Sequence, residues 1–256
     1  MMVPSYVSSR DNPLIKEMKR LAQDTVAYRK NERFWIEGDH LCDAAIKQGL
    51  IPRIAVFSEG YWSLCQDRYK SIAIKNIVIN TALYQEISTL DSPSKMGFVM
   101  DLPKGEPIQN GVPSVILDRV QDAGNVGSIL RSAAAFGFRQ VIALKGTAAL
   151  WAPKVLRAGM GAHFGLQLHE ALDLRDLEEM QLPFVVTSSH QGKLIQNLKL
   201  PNPCAWVLGH EGQGVCPELV ERAAMQVRIG QPGGEESLNV AAAAAICLHL
   251  SSLTQI

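Results

Sequence analysis

Residues 114–131 read SVILDRVQDAGNVGSILR, and their pattern decides the fold class. The run SVILD is short and continuously apolar up to its aspartate, which suits a strand buried on both faces. Helical spacing follows from about residue 127 to 136. The same alternation continues downstream. QVIAL (140–144) reads as a strand, PKVLRAGM (153–160) as a helix, and LPFVVTS (182–188) and CAWVLGH (204–210) as strands. PELVERA (217–223) reads as a short helix, QVRIG (226–230) as a strand, and an Ala-rich helix starts near Ser237. Continuous apolar strands alternating with helices predict an α/β domain built on a mainly parallel sheet.

Working back from that stretch, DLPKGEPIQNGVP (101–113) holds three prolines and two glycines in 13 residues, which breaks both helix and strand. The reading therefore divides the chain into a domain at 1–104, a linker at 105–113 and a domain at 114–256. The first domain opens with an expected helix over 13–30, begun by Pro13 and capped by Asn12, with Leu14, Met18, Leu21 and Ala22 at helical spacing. FWIEG, IPRIAVFSE, NIVIN and GFVM read as strands, DHLCDAAIKQG and TALYQEIST as helices, again an α/β or α-β-α alternation.

Composition narrows the function classes. The 25 Lys and Arg equal the 25 Asp and Glu, so there is no basic surplus of the kind nucleic-acid binders usually carry. The five cysteines are odd in number, and none form a C-x-x-C pair, which argues against a disulfide framework or a cysteine zinc site and for idle reduced thiols. The start MMVPSYVSSRDNP lacks the apolar core of a signal peptide, and the most apolar run, 238–253, is shorter than a membrane span. A cytoplasmic protein is the expectation. There is no Walker A pattern, because Gly-Lys occurs only at Gly192-Lys193. Gly159–Gly165 (GMGAHFG) misses the dinucleotide pattern by one residue.

Three clusters each follow an expected strand, at the sheet edge where open α/β folds bind ligands. The first is Asn125-x-Gly127-x-x-x-Arg131, where a helix start and a guanidinium make an anion or phosphate clamp. The second is LGHEGQG (208–214), whose glycines let backbone approach a ligand. The third is IGQPGGEESLNV (229–240), a loop with Glu235, Glu236, Ser237 and Asn239 that feeds the last helix and supplies a carboxylate, a hydroxyl and an amide together. Each has a plainer reading: Asn125 and Ser237 as helix caps, Arg131 as a surface residue, the glycines as a turn. All three in order on successive strands are hard to obtain by chance.

These clusters resemble the three signature motifs of the SpoU/TrmH family of RNA ribose 2′-O-methyltransferases, members of the SPOUT class. The likeness runs from Val115 to Leu250 and includes APKVLRAGMG (152–161) between the motifs. It implies a trefoil-knotted α/β domain at 114–256, S-adenosylmethionine as methyl donor and no catalytic metal. SSRDNPLIKEMKRL and FWIEGDHLCDAAI are similar, less closely, to the family's N-terminal L30e-like α-β-α substrate-binding domain. The resemblance assigns Arg131, Asn125, Glu211, Ser237 and Asn239 to catalysis, with Arg131 stabilising the developing 2′-alkoxide. It assigns Thr187, Leu208, Gly209, Gly212, Ile229 and Leu238 to the cofactor. The third motif departs from the usual pattern at Gly230, Gln231, Pro232 and Ala241, which puts the loop's shape in question. The implied substrate is structured RNA, ribosomal RNA ahead of transfer RNA, and the implied assembly is a homodimer through the knotted domain. The alternatives are a noncatalytic RNA-binding or ribosome assembly factor on the same fold and a SPOUT enzyme acting on a base. The balanced charge then implies RNA binding through shape and a few placed cations.

Overall fold

The structure is a computed structural model of the chain and describes residues 4–234 and 237–253. The chain forms two compact units: Met1–Lys104 with Trp151–Phe164, and Gly105–Leu150 with Gly165–Ile256.

In the first unit, β1 (Ser5–Val7) precedes α1 (Pro13–Gln23) and α2 (Ala27–Asn31). β2 (Arg33–Glu37), α3 (Asp39–Lys47), β3 (Ile54–Ser58), α4 (Glu59–Tyr69), β4 (Lys75–Ile79), α5 (Thr81–Ile87) and β5 (Met96–Asp101) follow. The strands form one mixed sheet in the order β1-β4-β3-β5-β2, with β5 antiparallel to both neighbours. Asn12 does cap α1, accepting from the Leu14 amide at 2.9 Å. The helix expected over 13–30 is two helices. The Asp24 carboxylate takes the Val26 amide at 2.9 Å, and this local turn competes with helix continuation at 24–26. The buried stripe of α1 is Ile15, Met18, Leu21 and Ala22, packed with Trp35, Ile77 and Tyr84; Leu14 is only partly buried. All five cysteines are free thiols.

In the second unit, β6 (Ser114–Asp118) leads through a short loop into α6 (Ala123–Ala135). Next come β7 (Gln140–Leu144) and α7 (Pro153–Gly159), the latter within the segment that belongs to the first unit. β8 (Gln167–Leu172), β9 (Phe184–Thr187), β10 (Lys193–Leu194), β11 (Ala205–Gly209), α8 (Pro217–Glu221), β12 (Met225–Arg228) and α9 (Val240–Ser252) complete it. The seven strands run in the order β10-β12-β9-β11-β6-β7-β8, and every pairing is parallel. Ile116, Ile142, Val186 and Val207 are fully buried in the core over one face. This is the mainly parallel α/β sheet that the sequence predicts.

Two segments differ from the sequence division. Residues 105–113 are packed structure. Gln109 exchanges two hydrogen bonds with the buried Gln140 side chain (2.8 and 3.1 Å), and the Asn110 side chain bridges Glu179 and Gln181. Residues 151–164 join the first unit, where Phe34 stacks against Trp151 and Phe164.

Candidate active site

Strand register brings the clusters together. Gly209 at the end of β11 is level with Asp118 at the end of β6. Val207 pairs with Val186, and Thr187 with Val227. Because all four strands are parallel, the loops that leave β6, β11, β9 and β12 open on one sheet edge.

Asp122 caps α6, its carboxylate accepting from the Asn125 amide at 2.8 Å. The helix thus starts four residues earlier than its apolar spacing predicts, and Asn125 sits inside the first turn with its side chain available. That side chain joins the three clusters. Its Nδ2 donates to Glu211 Oε1 at 3.1 Å, and its Oδ1 accepts from Asn239 Nδ2 at 2.9 Å. Asn239 meanwhile caps α9, its Oδ1 accepting from Ala241 and Ala242. Asn239, not Ser237, is therefore the α9 cap. Ser237 is exposed beside it, and Glu235 and Glu236 lie outside the described residues.

Glu211 fills the start of α6. Its carboxylate accepts from the Gln121 amide (3.2 Å) and the Asp122 amide (3.1 Å) as well as from Asn125. The expected phosphate clamp at this helix start is thus occupied by the protein's own carboxylate, for the same reason an anion would settle there. Burial by itself pushes the Glu211 pKa up. Hydrogen bonds from Asn125 and from the Glu211, Asp122 and Gln121 amides outweigh it and hold the pKa below the usual 4.5. Glu211 is an ionised anchor and a weak proton acceptor.

Arg131 lies six residues beyond Asn125 on α6, about 9 Å along the axis, in the solvent-facing row that also holds Ser128. Among the described residues its side chain makes no hydrogen bond or ion pair, so its guanidinium is uncommitted.

His210 shapes the second loop. Its Nδ1 accepts from the Gly212 and Gln213 amides (3.0 and 3.2 Å), which fixes the neutral ring with its proton on Nε2. The His210 and Gly214 backbones exchange two hydrogen bonds across the turn. A Cβ on Gly209 would lie 2.2 Å from Gly214 C and 2.3 Å from Val215 N, so only glycine lets the strand end and the turn close up.

The cofactor residues named from sequence line this edge. Leu208 and Gly209 are buried at the end of β11, and Thr187 donates from Oγ1 to Val207 O at 3.1 Å. Ile229 is half-buried past β12, Gly212 is exposed in the second loop, and Leu238 is 40% exposed ahead of α9. In the third loop, Gln231 Oε1 is buried with no hydrogen-bond partner. A buried acceptor without a donor fits a polar small molecule seated here. A separate cavity of about 450 Å³, lined by Pro183, Leu200, Pro201 and Met225, sits at the opposite strand ends and holds none of these groups. Among the described residues, no three His, Cys, Asp or Glu side chains group as metal ligands, and no helix is long and apolar enough to cross a membrane.

One pair was missed from sequence. Arg119 follows β6 with a left-handed backbone (φ 60) and forms a two-pronged ion pair with the buried Asp118. The only sequence signal was two opposite charges at the end of an apolar strand.

The SpoU rRNA Methylase family model matches residues 113–249, and an MRM3-like substrate binding domain matches residues 12–97. The chain is 28% identical over 250 residues to the 23S rRNA (guanosine(2553)-2′-O)-methyltransferase RlmP of Bacillus subtilis, covering 95% of this chain and 97% of that protein. It is 32% identical to the 23S rRNA (guanosine-2′-O-)-methyltransferase RlmB of Coxiella burnetii, over 72% of this chain and 78% of the relative. A crystal structure of an AdoMet-bound rRNA methyltransferase from Sinorhizobium meliloti superposes with a TM-score of 0.85 at 25% identity, covering 98% of both chains.

Proposed function

Because the chain belongs to the SpoU rRNA methylase family, we propose that it transfers a methyl group from S-adenosylmethionine to a ribose 2′-hydroxyl of ribosomal RNA. The observation that carries this reading is the Glu211–Asn125–Asn239 chain of hydrogen bonds, which ties all three clusters into one site, with the uncommitted Arg131 farther along the same helix. The names of the two relatives support ribose over base and ribosomal over transfer RNA.

S-adenosylmethionine supplies the electrophilic methyl group. Leu208, Gly209, Gly212, Ile229 and Leu238 would hold it chiefly through backbone groups, with Thr187 at the neighbouring strand end. Gln231 Oε1 offers an acceptor for an amino group. The chain's own groups then handle the 2′-hydroxyl. An arginine stays charged at neutral pH, which makes it a poor general base. Arg131 therefore stabilises the oxygen as it takes on negative charge and positions the adjoining phosphate. Ser237 orients the same region. Asn125, Asn239 and Glu211 keep the loops in register, the positioning that a transfer between two bound substrates needs. The domain at 1–104 binds structured RNA, and the domain at 114–256 carries the trefoil knot and the chemistry. The protein is a cytoplasmic homodimer paired through the knotted domain. Ile246 on α9 and Leu253 at its end, both exposed, support a second copy there.

Incubating the protein with labelled S-adenosylmethionine and separate ribosomal and transfer RNA pools tests the reading. Label should enter ribosomal RNA at a position that resists alkaline cleavage. Arg131→Ala should abolish transfer while cofactor binding survives; full activity in that variant removes Arg131 from the chemistry. Label only in transfer RNA, or no cofactor binding, favours the transfer-RNA enzyme or the noncatalytic factor respectively.

A further inference from the structure

We propose that Arg119 is a positioning residue for methyl transfer, acting as a clamp that locks the second loop onto the first; the proposal rests on the methyl-transfer reading above. Its Nε and Nη2 bond the two oxygens of Asp118 at 2.8 and 3.1 Å, and its Nη1 donates to Gln213 Oε1 at 3.0 Å. Asp118 Oδ2 also accepts from the Cys216 amide at 2.7 Å. The pair therefore grips the second loop at Gln213 and at Cys216. Glu211 lies two residues before the Gln213 grip, in the same turn, and docks onto the Gln121 and Asp122 amides and Asn125. Any slack in the clamp moves the carboxylate that sets Asn125, and through Asn125 the Asn239 end of the third cluster.

The backbone argues for the same role. A left-handed conformation favours glycine or asparagine, yet arginine occupies it. The chain also supports it there. The Arg119 amide donates to Thr147 Oγ1 at 3.1 Å, and Thr147 Oγ1 donates to Leu117 O at 3.0 Å. Gly146 leaves room for the Arg119 stem: a Cβ there would sit 3.0 Å from Arg119 Cγ. An unfavourable backbone held by several contacts beside a candidate active site marks a side chain whose position matters. What arginine adds over asparagine is a planar fork that reaches a carboxylate and an amide together.

The test uses Arg119→Gly, which removes the fork and suits the backbone, Arg119→Lys, and Gln213→Ala at an exposed position whose loss leaves the core intact. Single-turnover transfer at saturating cofactor and RNA should fall about a hundredfold in Arg119→Gly and about threefold to tenfold in Gln213→Ala. The double variant should be no slower than Arg119→Gly, because both act through one contact. Arg119→Lys should fail to restore the rate, since one ammonium cannot span both partners; a role limited to neutralising Asp118 would be met by lysine. Hydrogen exchange at the Gln121, Asp122 and Cys216 amides should be about tenfold faster in Arg119→Gly. The exchange arm needs no substrate, so it reads the clamp separately from the methyl-transfer reading. Unchanged exchange, wild-type rates in Arg119→Gly, or full rescue by lysine overturns the proposal.

Discussion

Glu211 illustrates how a carboxylate in a site is read by its partners. Three hydrogen bonds hold it ionised, and its pKa lies below the usual 4.5. A group whose folded pKa is depressed contributes stability above its unfolded value and loses it as pH falls through the folded one. The Glu211 contribution is therefore complete above the unfolded value and is lost as pH falls through the lower folded one. Melting curves of the wild type and Glu211→Gln should differ at pH 7 and converge as acidification carries Glu211 through its depressed pKa, with no Glu211 step in activity between pH 6 and 8. Gly209 gives a harder limit. Gly209→Ala drives a methyl group into the Gly214 backbone, which cannot move aside as a flexible side chain does. Overpacking of this kind costs about 1–3 kcal/mol, and thermal denaturation should show the loss together with weaker cofactor binding. The glycine was legible in the sequence as a site where backbone comes close. What comes close is the chain's own turn, and no single-sequence pattern carries that.

Elements were legible where their signals are local. Asn12, Pro13 and the apolar strands QVIAL and CAWVLGH announced themselves, and the structure has them. α4 was not seen: EGYWSLCQDRY has Gly60 near its start and Leu64 85% exposed, so its apolar residues trace no stripe. β1 and β10 are too short to show a period. α9 shows why a cap is ambiguous from sequence. Ser237 and Asn239 both suit the role, and only the fold assigns it to Asn239, which then uses its other side-chain atom on Asn125. The two jobs separate by mutation. Asn239→Asp keeps the capping oxygen and loses the donor to Asn125, while Asn239→Ala loses both. Asn239→Ala should lower stability by about 1 kcal/mol. Asn239→Asp should melt near the wild type and still transfer methyl groups at least about tenfold more slowly, as a stopped-time methylation assay would record.

At the scale of the whole molecule, the balanced charge leaves few cations for an RNA partner, and the ion pairs of the first unit narrow them further. Residues 1–33 carry seven basic and four acidic side chains, the one visible concentration in the sequence. In the structure much of that surplus is met locally. Arg10 and Lys19 reach Glu86, Lys16 reaches Asp11, and Arg33 reaches Glu17 and Asp101. Farther on, Arg53 shares Asp101 and Arg68 pairs with Asp43. Exposed pairs such as these add little stability, yet each one lowers the local potential an RNA phosphate meets. Arg20 and Lys30 on the first two helices and Arg131 on α6 have no such partner among the described residues. If these few cations make the phosphate contacts, about three counterions leave on binding. The slope of log affinity against log salt should then be about −2 to −3. Titrating ribosomal RNA between low and moderate salt measures it, and Arg20→Ala should make it shallower by about one contact. A slope near −10 would mean that the ion pairs open on binding and the basic strip acts as a whole.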